Sequence, residues 1–168
     1  MHLGLEKCGS TTIQAGLRAN RRALGKANLR VPRSVGFPNA TRLAAFASEF
    51  RQTQRLVHRW QGVNSADELE QYRNRFRAEL IEEVEGAPAR LSFICSSEHL
   101  TSQVRDEDEI HRLSGLLHET FDEVECLIVI RRQDLLCLSR YSQALRAGRK
   151  RTFAFRPVHF FDLSLIHI

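Results

Sequence analysis

The most apolar run of the chain, ECLIVI at Glu125–Ile130, constrains the fold more than any other stretch. It suits a strand buried on both sides, and strands of that kind belong to parallel sheets covered by helices. The segments around it alternate in the same sense. A short apolar stretch at the start runs into a helix from Gly9 to about Leu24, with Ser10, Thr11 or Thr12 available as its cap. NLRVP (Asn28–Pro32) reads as a strand ended by proline, GFPN as a turn, and Arg42–Trp60 as helix. Ser65 and Glu68 form a capping box ahead of a helix whose Leu69, Tyr72, Phe76, Leu80 and Val84 recur at helical spacing. EGAP stops that helix, and LSFICSS (Leu91–Ser97) reads as the next strand. An acidic-started helix follows from about Asp106 to Phe121, with Ile110, Leu113, Leu117 and Phe121 on one face. After the 125–130 strand, DLLCLSRYSQAL reads as a helix ending near Gly148. This order argues for an α/β domain with a mostly parallel sheet. Ligands of such sheets bind where loops leave the carboxyl ends of the strands, here after Glu6, Ser97 and Ile130.

A chain of 168 residues suffices for one domain with a sizeable core. Nothing approaches the run of about 18 apolar residues that spans a membrane, and Glu6 with Lys7 interrupts any signal-peptide core. The four cysteines, Cys8, Cys95, Cys126 and Cys137, show neither metal nor disulfide-scaffold spacing. Cys95 and Cys126 lie in apolar runs and read as small core residues. A reducing, cytoplasmic setting is the expectation. The formal charge of +5 is carried mostly by arginine, scattered among acids except at Arg146–Arg151. No zinc-finger or aromatic-basic signature accompanies it, so an anionic ligand is favoured over nucleic acid.

The first loop, EKCGSTT, has the makings of an anion cradle. Lys7 supplies a mobile positive charge and Gly9 a close backbone approach. Ser10, Thr11 and Thr12 offer hydroxyls and amides at a helix start. Gly4–Thr11 nearly matches the ATP-type loop but fails at its decisive position, where Ser10 replaces lysine. That substitution weighs against an ordinary nucleotide triphosphatase. In the third loop, Arg131 ends a strand and Ser139 follows eight residues later, so both can reach one phosphate. Arg132 competes with Arg131 for that role. The remaining histidines form no ligand pattern, and His111 and His118 read as solvated.

HLGLEKCGSTTIQAGLRANRRAL, SSEHL and IRRQDLLCLSRYSQALRAG together resemble the P-loop sulfotransferase family, particularly its bacterial carbohydrate-type members. The resemblance implies a three-layer α/β/α P-loop fold with a mostly parallel central sheet, incomplete at the C-terminus. It implies 3′-phosphoadenosine 5′-phosphosulfate (PAPS) as donor and a hydroxyl acceptor, a carbohydrate. By the same resemblance Lys7 contacts the bridging oxygen and the sulfuryl group, and Cys8, Gly9, Ser10, Thr11 and Thr12 hold the 5′-phosphosulfate. Arg131 and Ser139 bind the 3′-phosphate. No metal is expected, because Lys7 neutralises the leaving oxygen. Cys8 departs from the family's usual threonine and loses a hydroxyl; a reactive thiol is the alternative role. Glu98 is the candidate general base, with His99 its neighbour. A small-molecule kinase using ATP and magnesium, or a non-catalytic nucleotide-binding module, are the alternatives.

The resemblance extends to about Asp162. The expectation is therefore a PAPS-binding domain over 1–162 and a non-native tail, LSLIHI, over 163–168, in a chain shorter than family members usually are.

Overall fold

The computed structural model describes residues 1–51 and 55–149. The expected tail at 163–168 and the domain limit at 162 lie outside the described residues. The chain begins with β1 (His2–Gly4), α1 (Ser10–Ala19), α2 (Arg21–Lys26) and β2 (Leu29–Arg30). It continues through α3 (Thr41–Ala47), α4 (Leu56–Trp60) and α5 (Ala66–Glu85) to β3 (Ser92–Phe93) and β4 (Ser96–Ser97). Then come α6 (His99–Gln103), α7 (Glu107–Thr120), β5 (Leu127–Val129) and α8 (Gln133–Arg146). The result is a mixed α/β structure in which β1 pairs in parallel with β4 on one side and β5 on the other. A second parallel pair joins β2 to β3.

The capping box read at Ser65 forms, and the acidic-started helix gains a cap at Asp106. Ser65 Oγ accepts the Glu68 amide at 3.1 Å, and Asp106 Oδ1 accepts the Glu109 amide at 3.0 Å. The box at Ser65 is completed one residue early, because Glu68 Oε2 accepts the amide of Asn64 at 2.6 Å. The helix expected over 9–24 is two helices. Asn20 ends the first by donating both its backbone N–H and its side-chain Nδ2 to the Gly16 carbonyl, at 3.1 and 2.9 Å. Gly9, rather than a hydroxyl residue, stands at the N-cap of α1, in the left-handed region at φ 89°.

The helical stretch expected over 42–60 also breaks, because arginines finish α3. Arg73 donates to the carbonyls of Phe46 and Ser48 at 3.0 and 2.9 Å, and Arg112 to that of Ala47 at 2.7 Å. Carbonyls at a helix end lack partners within the helix, and cations there also meet the favourable end of the dipole. The core gathers around α3, which packs on α4, α5, α6 and α7. Leu43 and Phe46 meet Leu69, Phe76 and Leu80 of α5 and Leu113, Leu116 and Leu117 of α7. Each such side chain, fully buried, stabilises the fold by about 1.5–3 kcal/mol.

Two strand expectations are revised. LSFICSS is not one strand. Its first half donates to Asn28 and Arg30 beside β2, while the Cys95 carbonyl accepts from His2 N of β1 at 2.8 Å. The same run therefore serves both sheets. β5 is not buried on both faces: it is the outer strand of its sheet among the described residues, with Leu127 61% and Ile130 80% exposed. Cys126 is exposed with it, whereas burial pushes the Cys95 thiol up to about 11.

Candidate functional site

The carboxyl ends of β1, β4 and β5 lie side by side, so the three loops named from the sequence converge. β1 can approach α1 closely because residue 4 is glycine. A Cβ built there would stand 2.9 Å from Ser10 Cβ and 3.2 Å from His2 Cε1. The loop between them turns at Lys7, which has φ 67°, and at Gly9. A Cβ on Gly9 would meet nothing within 4 Å, so the loop's outer side is open at that point. No described side chain caps α1, and Thr11 and Thr12 are exposed in its first turn.

Two arginines lace this loop to the third one. Arg131 Nη1 donates to the Lys7 carbonyl at 3.0 Å, and Arg140 Nη2 donates to Glu6 Oε2 at 2.8 Å. Between Lys7, Arg131 and α8 lies an open cleft of about 280 Å³, lined also by Ser139, Ser142 and Arg146. Lys7, Arg131 and Ser139 thus face one space. Arg132 does not line it: its guanidinium grips Asp134 at 2.7 and 2.6 Å and holds that carboxyl down to about 2. Ser142 and Arg146 escaped the sequence reading, although they follow Ser139 at three and seven positions and so share its helix face.

The remaining predicted residues sit on the other side of the loop. Ser10 is buried, 3% exposed, and its hydroxyl donates to Glu98 Oε2 at 2.6 Å. The Glu98 amide donates to Asn39 Oδ1 at 2.9 Å, and the same oxygen accepts from Gln14 Nε2 at 3.1 Å. Ser96 Oγ in turn pairs with His2 Nδ1 at 2.8 Å. Gln14, Asn39 and Ser96 have no local motif to betray them. The one available signal was the polar face that Ser10 and Gln14 share, one helical turn apart, on α1. Cys8 is partly buried, its amide donating to the Leu5 carbonyl at 3.1 Å.

His99 follows Glu98 at the start of α6, its amide donating to Ser97 Oγ at 3.2 Å. Burial lowers its pKa from the ordinary 6.5, with the charges of Glu98 and Glu6 pulling the other way. Its ring meets Trp60 edge to face at 5.1 Å between centroids. The arrangement can therefore offer cationic and hydroxyl groups to an anion on one side of the loop. On the other it offers a carboxylate and an imidazole to a proton.

Comparisons with protein-family models, with curated proteins and with solved structures found no match to this chain. No described helix is long and apolar enough to cross a membrane.

Proposed function

We propose that this site belongs to a sulfotransferase that moves a sulfuryl group from PAPS to a hydroxyl acceptor, a carbohydrate. The observation that carries the reading is the cleft shared by Lys7, Arg131 and Ser139 at the ends of two parallel strands. Arg131 and Ser139 would hold the 3′-phosphate there, with Arg131 giving the directional contacts suited to a phosphate. Gly9, Thr11 and Thr12, at an uncapped helix start, suit the 5′-phosphosulfate. Cys8 and Ser10 fall to supporting roles, Cys8 through its backbone and Ser10 through Glu98.

Transfer forms a bond from the acceptor oxygen to sulfur and breaks the bond from sulfur to the bridging phosphate oxygen. Lys7 offsets the charge left on that departing oxygen. Glu98 takes the acceptor's proton, a role for which its place beside the loop suits it, and His99 stands next to it. No magnesium is required in this scheme.

Titration with 3′-phosphoadenosine 5′-phosphate and with ATP, each with and without magnesium, tests the reading. The expected result is metal-independent preference for the 3′-phosphorylated nucleotide, erased by Arg131→Ala and retained by Arg132→Ala. Equal or tighter binding of ATP would point to a kinase, and binding of neither nucleotide to a module without this chemistry.

A further inference from the structure

The sole tryptophan of the chain, Trp60, is the last residue of α4. α4 buries Val57 and His58 against the core and turns Leu56 and Trp60, one helical turn apart, to the outside. Trp60 is 53% exposed although it is the largest apolar side chain available for burial. It is nevertheless not loose on the surface, because its ring abuts His99. The ring contact leads from Trp60 to His99, whose chain neighbour Glu98 is hydrogen-bonded to Ser10 of the first loop.

We infer that Trp60 is the stacking platform of the acceptor subsite, and that its occupant is a neutral saccharide ring. The inference deepens the transferase reading and rests on it for the fate of the bound hydroxyl. A pyranose has a flat face of C–H groups and an edge of hydroxyls. The first matches an exposed indole, whose body is apolar and rigid. The second matches the imidazole that touches that indole and the carboxylate of the residue preceding it in the chain. The electrostatics separate this occupant from the other flat candidates. The Glu98 charge acts on His99 and opposes an anionic aromatic ring there, while Glu6 is already paired with Arg140. A purely apolar ring would leave the His99 imidazole without a hydrogen-bonding partner in the complex, whereas Glu98 keeps its bond from Ser10.

A sole tryptophan lets its own fluorescence report the contact. The full chain is titrated with a β-linked glucose tetramer, a β-linked N-acetylglucosamine tetramer and 2-naphthol, and 3′-phosphoadenosine 5′-phosphate binding is followed in parallel by calorimetry. The expected result is a saturable change in Trp60 emission with at least one tetramer. In calorimetry, Trp60→Ala should weaken that tetramer by about tenfold or more, as loss of a central tryptophan does in other interfaces, and leave nucleotide affinity unchanged. Unchanged emission with both tetramers up to millimolar concentration overturns the inference, as does a response to 2-naphthol alone. The wild-type titration decides this without any variant. Tetramer binding without 3′-phosphate-dependent nucleotide binding would sink the transferase reading and uphold the platform. Nucleotide binding without tetramer binding would do the reverse.

Discussion

Ser10 and Glu98 stand 88 residues apart in sequence and share a hydrogen bond of 2.6 Å. The first belongs to the anion loop and the second is the candidate base, so one bond couples the two halves of the proposed chemistry. Glu98→Gln keeps the shape and removes the proton acceptor. Sulfuryl transfer should fall by about 10²–10⁴-fold, with binding of 3′-phosphoadenosine 5′-phosphate retained. A single-turnover assay beside a nucleotide titration checks both; full activity in Glu98→Gln would dismiss Glu98 as the base.

Gly4→Ala tests the approach of β1 to α1. The added carbon would lie 2.9 Å from Ser10 Cβ, closer than carbon atoms pack. Separation of strand and helix should lower stability by about 1–3 kcal/mol, read from urea unfolding. An unchanged midpoint would mean that the strand and helix have room to part.

Glu109 is fully buried, with its carboxylate accepting from Arg55 Nη1 and Nη2 at 3.0 and 2.6 Å and from the Glu49 and Arg105 amides at 2.8 and 2.7 Å. Glu109→Leu alone strands the Arg55 charge and should destabilise by about 3–5 kcal/mol. Pairing it with Arg55→Met should recover much of that loss. Additive losses in the double variant would show that the two side chains are not energetically coupled.

Acid should weaken the fold in two stages. Burial lowers the pKa of His2, His58 and His99 from 6.5 in the folded chain. Just below pH 6.5 the unfolded chain therefore binds more protons than the folded one, so stability declines as pH falls through that value. Glu83 is shifted down from 4.5: burial pushes it up, but the amides of Arg33 and Ser34, each 2.8 Å away, more than offset this. Its contribution is present above pH 4.5 and is lost as pH falls below it. Urea midpoints measured from about pH 7.5 to about pH 4 should fall in that order; a flat profile between 7.5 and 5.5 would refute the histidine stage.

Elements that carry their own chemical signals are legible in the amino-acid sequence. α5 announces itself by the capping box at Ser65, α7 by its acidic start at Asp106, and β2 by the proline after it. The cleft is legible in the same way, since Arg131 ends a strand and Ser139 lies two helical turns farther on. What escapes depends on distant partners. The division of Leu91–Ser97 between two sheets follows from where β1 and β2 lie, and nothing within the run encodes it. Likewise the positive charge suggests an anionic ligand, yet Arg55, Arg73 and Arg112 serve the interior by holding Glu109 and the end of α3. The exposure of Leu127 and Ile130 escapes because an apolar run records a preference for burial, while the cover must come from elsewhere.

The bonds from Arg131 to the Lys7 carbonyl and from Arg140 to Glu6 span 124 and 134 residues. Loop closure over such separations carries an entropic cost that only cooperative assembly of the sheet can offset. During synthesis, Glu6 and Lys7 leave the ribosome long before either arginine has been made. The anion loop is thus translated well before the arginines that clasp it and is among the last segments to acquire its final shape, and a chain arrested before Arg131 would emerge with its loop still unclasped.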